Sequence, residues 1–138
     1  MNRSDFQTLS EIREKEAKAL LDAGCYPGAY YLAGYSVECA FKSTICKETL
    51  EFDFPDKAFA SKAHTHHLET LMTLAGLLDI FQKEVKVNAQ LEVNWALVKD
   101  WSEGKRYSLG ISQSEAEDLL IAISEKVDGV LPWIRRYW

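Results

Sequence analysis

Proline and glycine are scarce here, 3 and 7 among 138 residues, which leaves little material for the turns of a β-sandwich. Cysteine is scarce too, and its count of 3 is odd. Cys39 and Cys46 fall two turns apart if their segment is helical, about 10 Å along the axis, which is too far for a disulfide. No Cys-x-x-Cys spacing marks a zinc site, so the cysteines, Cys25 included, read as small apolar residues in a reducing cytoplasm. Positive charge is in deficit, 16 Lys and Arg against 21 Asp and Glu, for a net charge of −5. That argues against broad, sequence-blind binding to nucleic acid, which runs on phosphate neutralisation, and leaves room only for a local basic site. No apolar run reaches the roughly 18–20 residues that span a bilayer, and Glu38 interrupts the most apolar stretch, Ala29 to Phe41. The opening MNRSDFQTLSEIREKEAKAL is amphipathic with no apolar h-region, so no secretory leader is expected.

What is present is enough apolar material, 47% of residues against 27% charged, to bury one core. The chain reads as a single domain over 1–138, all-α, an up-and-down bundle of four or five helices defined by apolar spacing of period 3.6. The first helix is expected from about Asp5 to Ala23, opened by a Ser4–Gln7 capping box, striped by Phe6, Leu9, Ile12, Ala17 and Leu20, and closed by Gly24. The second, from Pro27 to about Leu50, is apolar on nearly every side and should be the buried spine; its small residues Ala29, Ala33, Gly34, Ser36 and Ala40 let neighbours approach closely. Glu51 to Ala63, with Pro55, reads as a loop. A third helix starts near Thr65 and carries Leu68, Leu71, Met72, Ala75 and Leu78. A fourth spans about Phe81 to Trp101, with Val87, Leu91, Trp95 and Val98 in line. After a loop from Ser102 to Ile111, a fifth opens at a Ser112–Glu115 capping box. It carries Ala116, Leu119, Ile123, Val127, Leu131 and Ile134, and Gly129 and Pro132 should kink it.

The chemistry-bearing residues are few. Tyr31, Tyr35, Glu38 and Lys42 fall at i, i+4, i+7 and i+11, a single face of the spine. A buried carboxylate needs a partner, so Glu38 pairs with Lys42, pairs with an arginine elsewhere, or faces a cleft or a dimer interface. Trp101, Lys105, Arg106 and Tyr107 form an aromatic-basic cluster that can stack a base and hold a phosphate; alternatively Arg106 pairs with Glu38 or caps a helix. His64, His66 and His67 invite a metal reading, but His66 and His67 point apart on a helix and no carboxylate cluster joins them, so capping and loop packing are preferred and no metal or cofactor is expected. The run Arg13 to Lys18 reads as a solvated helix face. There is no G-x-S-x-G and no glycine-rich phosphate loop.

The segment AYYLAGYSVECAFK, Ala29 to Lys42, resembles the signature helix of HEPN domains, small all-α modules of prokaryotes and some eukaryotes. Thr65-His66-His67-Leu68 is similar to that family's Thr-His-Asp/Asn-Leu element, Arg106-Tyr107 to its Arg-Tyr element before the last helix, and SQSEAEDLL to the helix start that follows. The pieces span nearly the whole chain in the right order. The resemblance implies four or five antiparallel helices, a homodimer with a cleft at its interface, and pairing with a minimal nucleotidyltransferase in toxin–antitoxin fashion. Ribonuclease members carry, about four to six residues after the arginine, a histidine that serves as proton carrier. Here Arg106 is followed by Tyr107, Ser108, Leu109, Gly110, Ile111, Ser112 and Gln113, and no histidine occurs after His67. The resemblance therefore implies a non-catalytic, cytoplasmic module that binds a nucleotide or a protein partner, with Tyr31, Tyr35, Glu38, Lys42, Trp101, Arg106 and Tyr107 lining its cleft. An RNase toxin with an atypical site that acts on RNA, using Arg106 with Tyr107 or His66, is the enzymatic alternative. A purely structural scaffold is the third.

Overall fold

The computed structural model describes residues 1–49 and 57–138. Among these it holds eight α-helices and one 3-10 turn, with no strand: α1 (Arg3–Asp22), α2 (Tyr26–Glu48), α3 (Lys57–Ala63), α4 (Leu68–Leu74), α5 (Leu78–Glu84), α6 (Ala89–Val98), the 3-10 turn (Glu103–Tyr107), α7 (Gln113–Ser124) and α8 (Val130–Arg135). No helix among the described residues is long and apolar enough to cross a membrane.

α1 and α2 form a tight hairpin because its turn satisfies its own backbone. Gly24 takes φ +76°, a left-handed conformation that glycine adopts at little cost. It donates to Leu21 O at 3.0 Å, while Cys25 donates to Leu20 O at 2.8 Å, the paired bonds of a Schellman ending. Pro27 sits in the first turn of α2, where its missing N–H costs nothing. Ser10 then sews the two helices together, its hydroxyl donating to Ser36 O at 2.7 Å in the buried seam.

α2 is the spine. It packs against α1, α4, α7, α8 and the 3-10 turn, and Ala33, Val37, Ala40 and Phe41 are fully buried along it. Gly34 is the closest approach: a Cβ there would lie 2.3 Å from the Trp101 indole. The rest of the core is aliphatic with one aromatic cluster, in which Phe81 lies edge-on to both Trp95 (5.8 Å between centroids) and Trp133 (5.4 Å), geometries that suit the ring quadrupoles. Tyr26 meets Gln113 at 3.1 Å, which sets the start of α7 beside the start of α2.

The described helices are more numerous than the four or five expected, and those after α2 are short. α1 starts earlier than Asp5: its capping box is Asn2 with Asp5, not Ser4 with Gln7. Ile12 is 44% exposed, and Ser10, Glu14 and Ala17 are the buried residues of that helix. The stretch expected as a loop from Glu51 contains α3; its residues 51–56, Pro55 among them, lie outside the described residues, as does Leu50. α4 starts at Leu68 rather than Thr65, capped by the His67 ring accepting from Thr70 N–H at 3.3 Å. The expected fourth helix is two, because Asn88 opens a new one with its side chain on Leu91 N–H; Val87, expected in the stripe, is left 85% exposed. The expected loop from Ser102 contains the 3-10 turn.

The last helix is broken rather than kinked. α7 opens as expected at Ser112, whose hydroxyl accepts from Glu115 N–H at 3.1 Å, but it stops at Ser124. The Glu125 carboxylate then takes the N–H groups of Val127 (3.1 Å) and Asp128 (2.5 Å), bonds that compete with helix propagation. Asn94 and Asn88 hold Asp128 through its backbone and side-chain oxygens, each at 2.8 Å. Val127 consequently points outward, 69% exposed, and Pro132 falls in the first turn of α8, where it is tolerated.

Candidate functional site

The face of α2 read from the sequence is continuous in the fold. Tyr31 and Tyr35 stack at 6.0 Å with 9° between their planes, and Tyr31 also stacks on Trp101 at 5.9 Å. The Arg13 guanidinium lies 5.9 Å from the Tyr35 ring centre, extending the row onto α1. Both tyrosines are half-buried, but Trp101 is 2% exposed. Trp101 is therefore the floor of the row, seated on Gly34, and not a cleft wall. Burial, then the neighbouring Cys39 and Glu38, push the Tyr35 hydroxyl up from its ordinary value.

One turn further on, Glu38 is 1% exposed. Its Oε1 accepts from Lys42 Nζ at 2.8 Å and meets His66 Nδ1 at 2.9 Å, while Oε2 is buried without a hydrogen-bond partner among the described residues. The other ring nitrogen, His66 Nε2, lies 3.0 Å from Glu103 Oε2 in the 3-10 turn. Carboxylates only accept, so both contacts are hydrogen bonds together only when both ring nitrogens carry hydrogen. His66 thus ties the spine to the turn through an inner and an outer carboxylate. The Lys42 ammonium and the His66 ring, both on one buried oxygen, offset the desolvation that an isolated carboxylate would suffer.

The turn sets Arg106. Side chains three apart eclipse on a 3-10 helix, so Glu103 and Arg106 share one side of it. Arg106 is exposed and lies 4.8 Å from the Tyr107 ring centre, with Tyr107 itself 74% exposed. Its guanidinium is pushed up, first by the Tyr107 hydroxyl and then by Glu103 and Tyr31. The side chains that answer Glu38 are therefore Lys42 and His66; Arg106, the arginine proposed for it, stacks outward on Tyr107.

Sequence reasoning singled out the carboxylate and missed its second partner. His66 was assigned to capping and loop packing, whereas the cap is made by His67 alone and His66 reaches Glu38. The available signal was the carboxylate itself: a buried anion with one lysine still calls for donors, and a histidine in a nearby connection can supply one. Among the described residues no three His, Cys, Asp or Glu side chains are grouped to hold a metal ion.

The run Arg13 to Lys18 is likewise not wholly solvated. Glu14 is 8% exposed and is bound by Lys18 at 3.0 Å and by Arg135 of α8 at 2.5 Å. A separate cavity of about 370 Å³, lined by Lys18, Leu21, Glu117, Leu120, Ile121, Ser124 and Glu125, shares no residue with the Tyr31–Arg106 face.

No protein-family model matches the chain, no curated protein matches it, and no solved structure does.

Proposed function

We propose that the chain is a non-catalytic HEPN-type module that binds a nucleotide on the Tyr31–Arg106 face and works as a homodimer beside a minimal nucleotidyltransferase. The observation that carries the reading is the aromatic row with a cation at its edge. Tyr31 and Tyr35 are parallel and half-buried, Tyr31 is backed by Trp101, and the turn that carries the exposed Arg106 packs on the same helix. Aromatic faces take a base by stacking at about 1–3 kcal/mol each, and a guanidinium takes a phosphate by paired hydrogen bonds. Catalysis is disfavoured because the histidine of this face has both ring nitrogens on carboxylates, leaving neither to move a substrate proton.

Calorimetric titration with ATP and ADP tests this. Arg106→Ala and Tyr31→Ala are each expected to weaken binding by roughly tenfold, the scale of one charge-assisted contact or one stacked base. Binding that survives both substitutions would sink the reading.

One observation favours a second reading. His66 is oriented by a buried carboxylate on Nδ1, as a general base is, which suits an RNase with an atypical site. Incubation with total RNA decides: cleavage that Arg106→Ala and His66→Asn both abolish would replace the binding module with the enzyme.

A further inference from the structure

The His66–Glu103 contact closes the binding face on itself. His66 Nε2 is met at 3.0 Å by a carboxylate of the protein's own chain, Glu103, from the 3-10 turn that also carries Arg106. The outward nitrogen of His66 is thus spent on Glu103. We infer that Glu103 is an internal competitor, its carboxylate standing where the phosphate of a bound nucleotide goes, so that binding requires Glu103 to leave His66.

Three features carry this. First, the contact is weakly held: the His66 and Glu103 side chains are 42% and 46% exposed, and ion pairs so wet are worth about 0–1 kcal/mol. Second, the donor behind it is fixed. His66 cannot follow a departing Glu103, because Nδ1 is anchored on the buried Glu38 oxygen that Lys42 also binds. Removing Glu103 therefore leaves an oriented ring nitrogen without its partner rather than a collapsed side chain. Third, the 3-10 periodicity sets Arg106 on the same side as Glu103, so an anion in that place gains a second donor that can fork to two oxygens. A phosphate carries more charge and more acceptor oxygens than a carboxylate, which favours the exchange. Glu103 in place also repels an incoming anion, so it lowers affinity until it is displaced and discriminates against weakly charged ligands.

The inference rests on the reading that this face binds a nucleotide, and the experiment separates the two. Wild type, Glu103→Gln and the double variant His66→Asn/Glu103→Gln are titrated calorimetrically with ADP, adenosine and inorganic phosphate, with thermal melts confirming that each is folded. Glu103→Gln is expected to bind ADP roughly tenfold more tightly, the effect of removing one like charge at a partly exposed site. The gain should be absent for adenosine and lost in the double variant. A gain for inorganic phosphate as well supports the competitor with phosphate alone as its anion. Equal ADP affinity in wild type and Glu103→Gln overturns the competitor and leaves the binding face standing. A gain that extends to adenosine, or survives loss of His66, overturns it too, since the vacated place would then not be what ADP uses. No ADP binding by any variant overturns both readings.

Discussion

At the scale of single residues, the spine is shaped by what it omits. Gly34 has no side chain because the Trp101 indole occupies that space, 2.3 Å from where a Cβ would be. Gly34→Ala is accordingly expected to destabilise by about 1–3 kcal/mol, the range of core overpacking, although glycine-to-alanine within an exposed helix would stabilise. Urea unfolding followed by tryptophan fluorescence measures it, and an unchanged midpoint would mean that Trp101 has room to move. Cys39 shows how far burial suppresses chemistry on the same helix. Burial, then the nearby Glu38 charge, pushes its thiol up to about 12, so almost no thiolate forms near neutrality. Maleimide at pH 7 should label exposed Cys25 quickly and Cys39 only in denaturant; native labelling of Cys39 at a similar rate would contradict the burial. The sequence made Glu38 visible, since a carboxylate amid apolar residues demands an answer. It did not identify His66 as part of that answer, because the choice depends on where the turn before α4 folds in space, not on spacing along α2.

At the scale of elements, periodicity located the buried stripes of the later helices but misplaced that of α1 and merged neighbouring helices. Leu91, Trp95 and Val98 are buried as their spacing requires, and so are Ala116, Leu119 and Ile123. Apolar spacing could not reveal the breaks at Asn88 and after Ser124, because polar side chains make them by bonding backbone groups. Two asparagines meeting Asp128 hold the start of α6 against the α7–α8 turn, a long-range arrangement with no local signature. Asn94, 5% exposed, carries the buried half of it. Asn94→Ala should therefore cost about 1–2 kcal/mol, leaving the Asp128 carbonyl short of a donor, whereas Lys86→Ala on the exposed turn nearby should stay within about 0.5 kcal/mol. Equal effects in chemical denaturation would show that the α7–α8 turn is held by chain packing rather than by the asparagine.

At the scale of the whole molecule, the ends of the chain are joined by charge. Arg3 donates to the Trp138 carbonyl and Lys47 to that of Tyr137, and inside this seam Glu14 of α1 binds Arg135 of α8. Burial alone would raise the Glu14 carboxyl, but hydrogen bonds from Arg135 and Lys18 outweigh it, and the group lies below its ordinary value. A carboxyl depressed in the folded state contributes stability above its unfolded value, about 4.3 for glutamate, and loses that contribution as pH falls through the folded value. The loss should begin near pH 5 and deepen towards lower pH, on top of the general loss shared by the other carboxylates. Glu14→Gln keeps the shape and removes the titration, so it should be less stable than wild type at pH 7, by about 2–3 kcal/mol for a partly buried pair broken on one side. The two proteins should converge as the buffer is taken towards pH 3. Urea midpoints at pH 7, 5, 4 and 3 read this directly. Parallel curves for the two proteins would mean that the first and last helices are held by apolar packing and that the ion pair between them adds nothing, whereas convergence makes Glu14 the acid-sensitive fastening of the bundle.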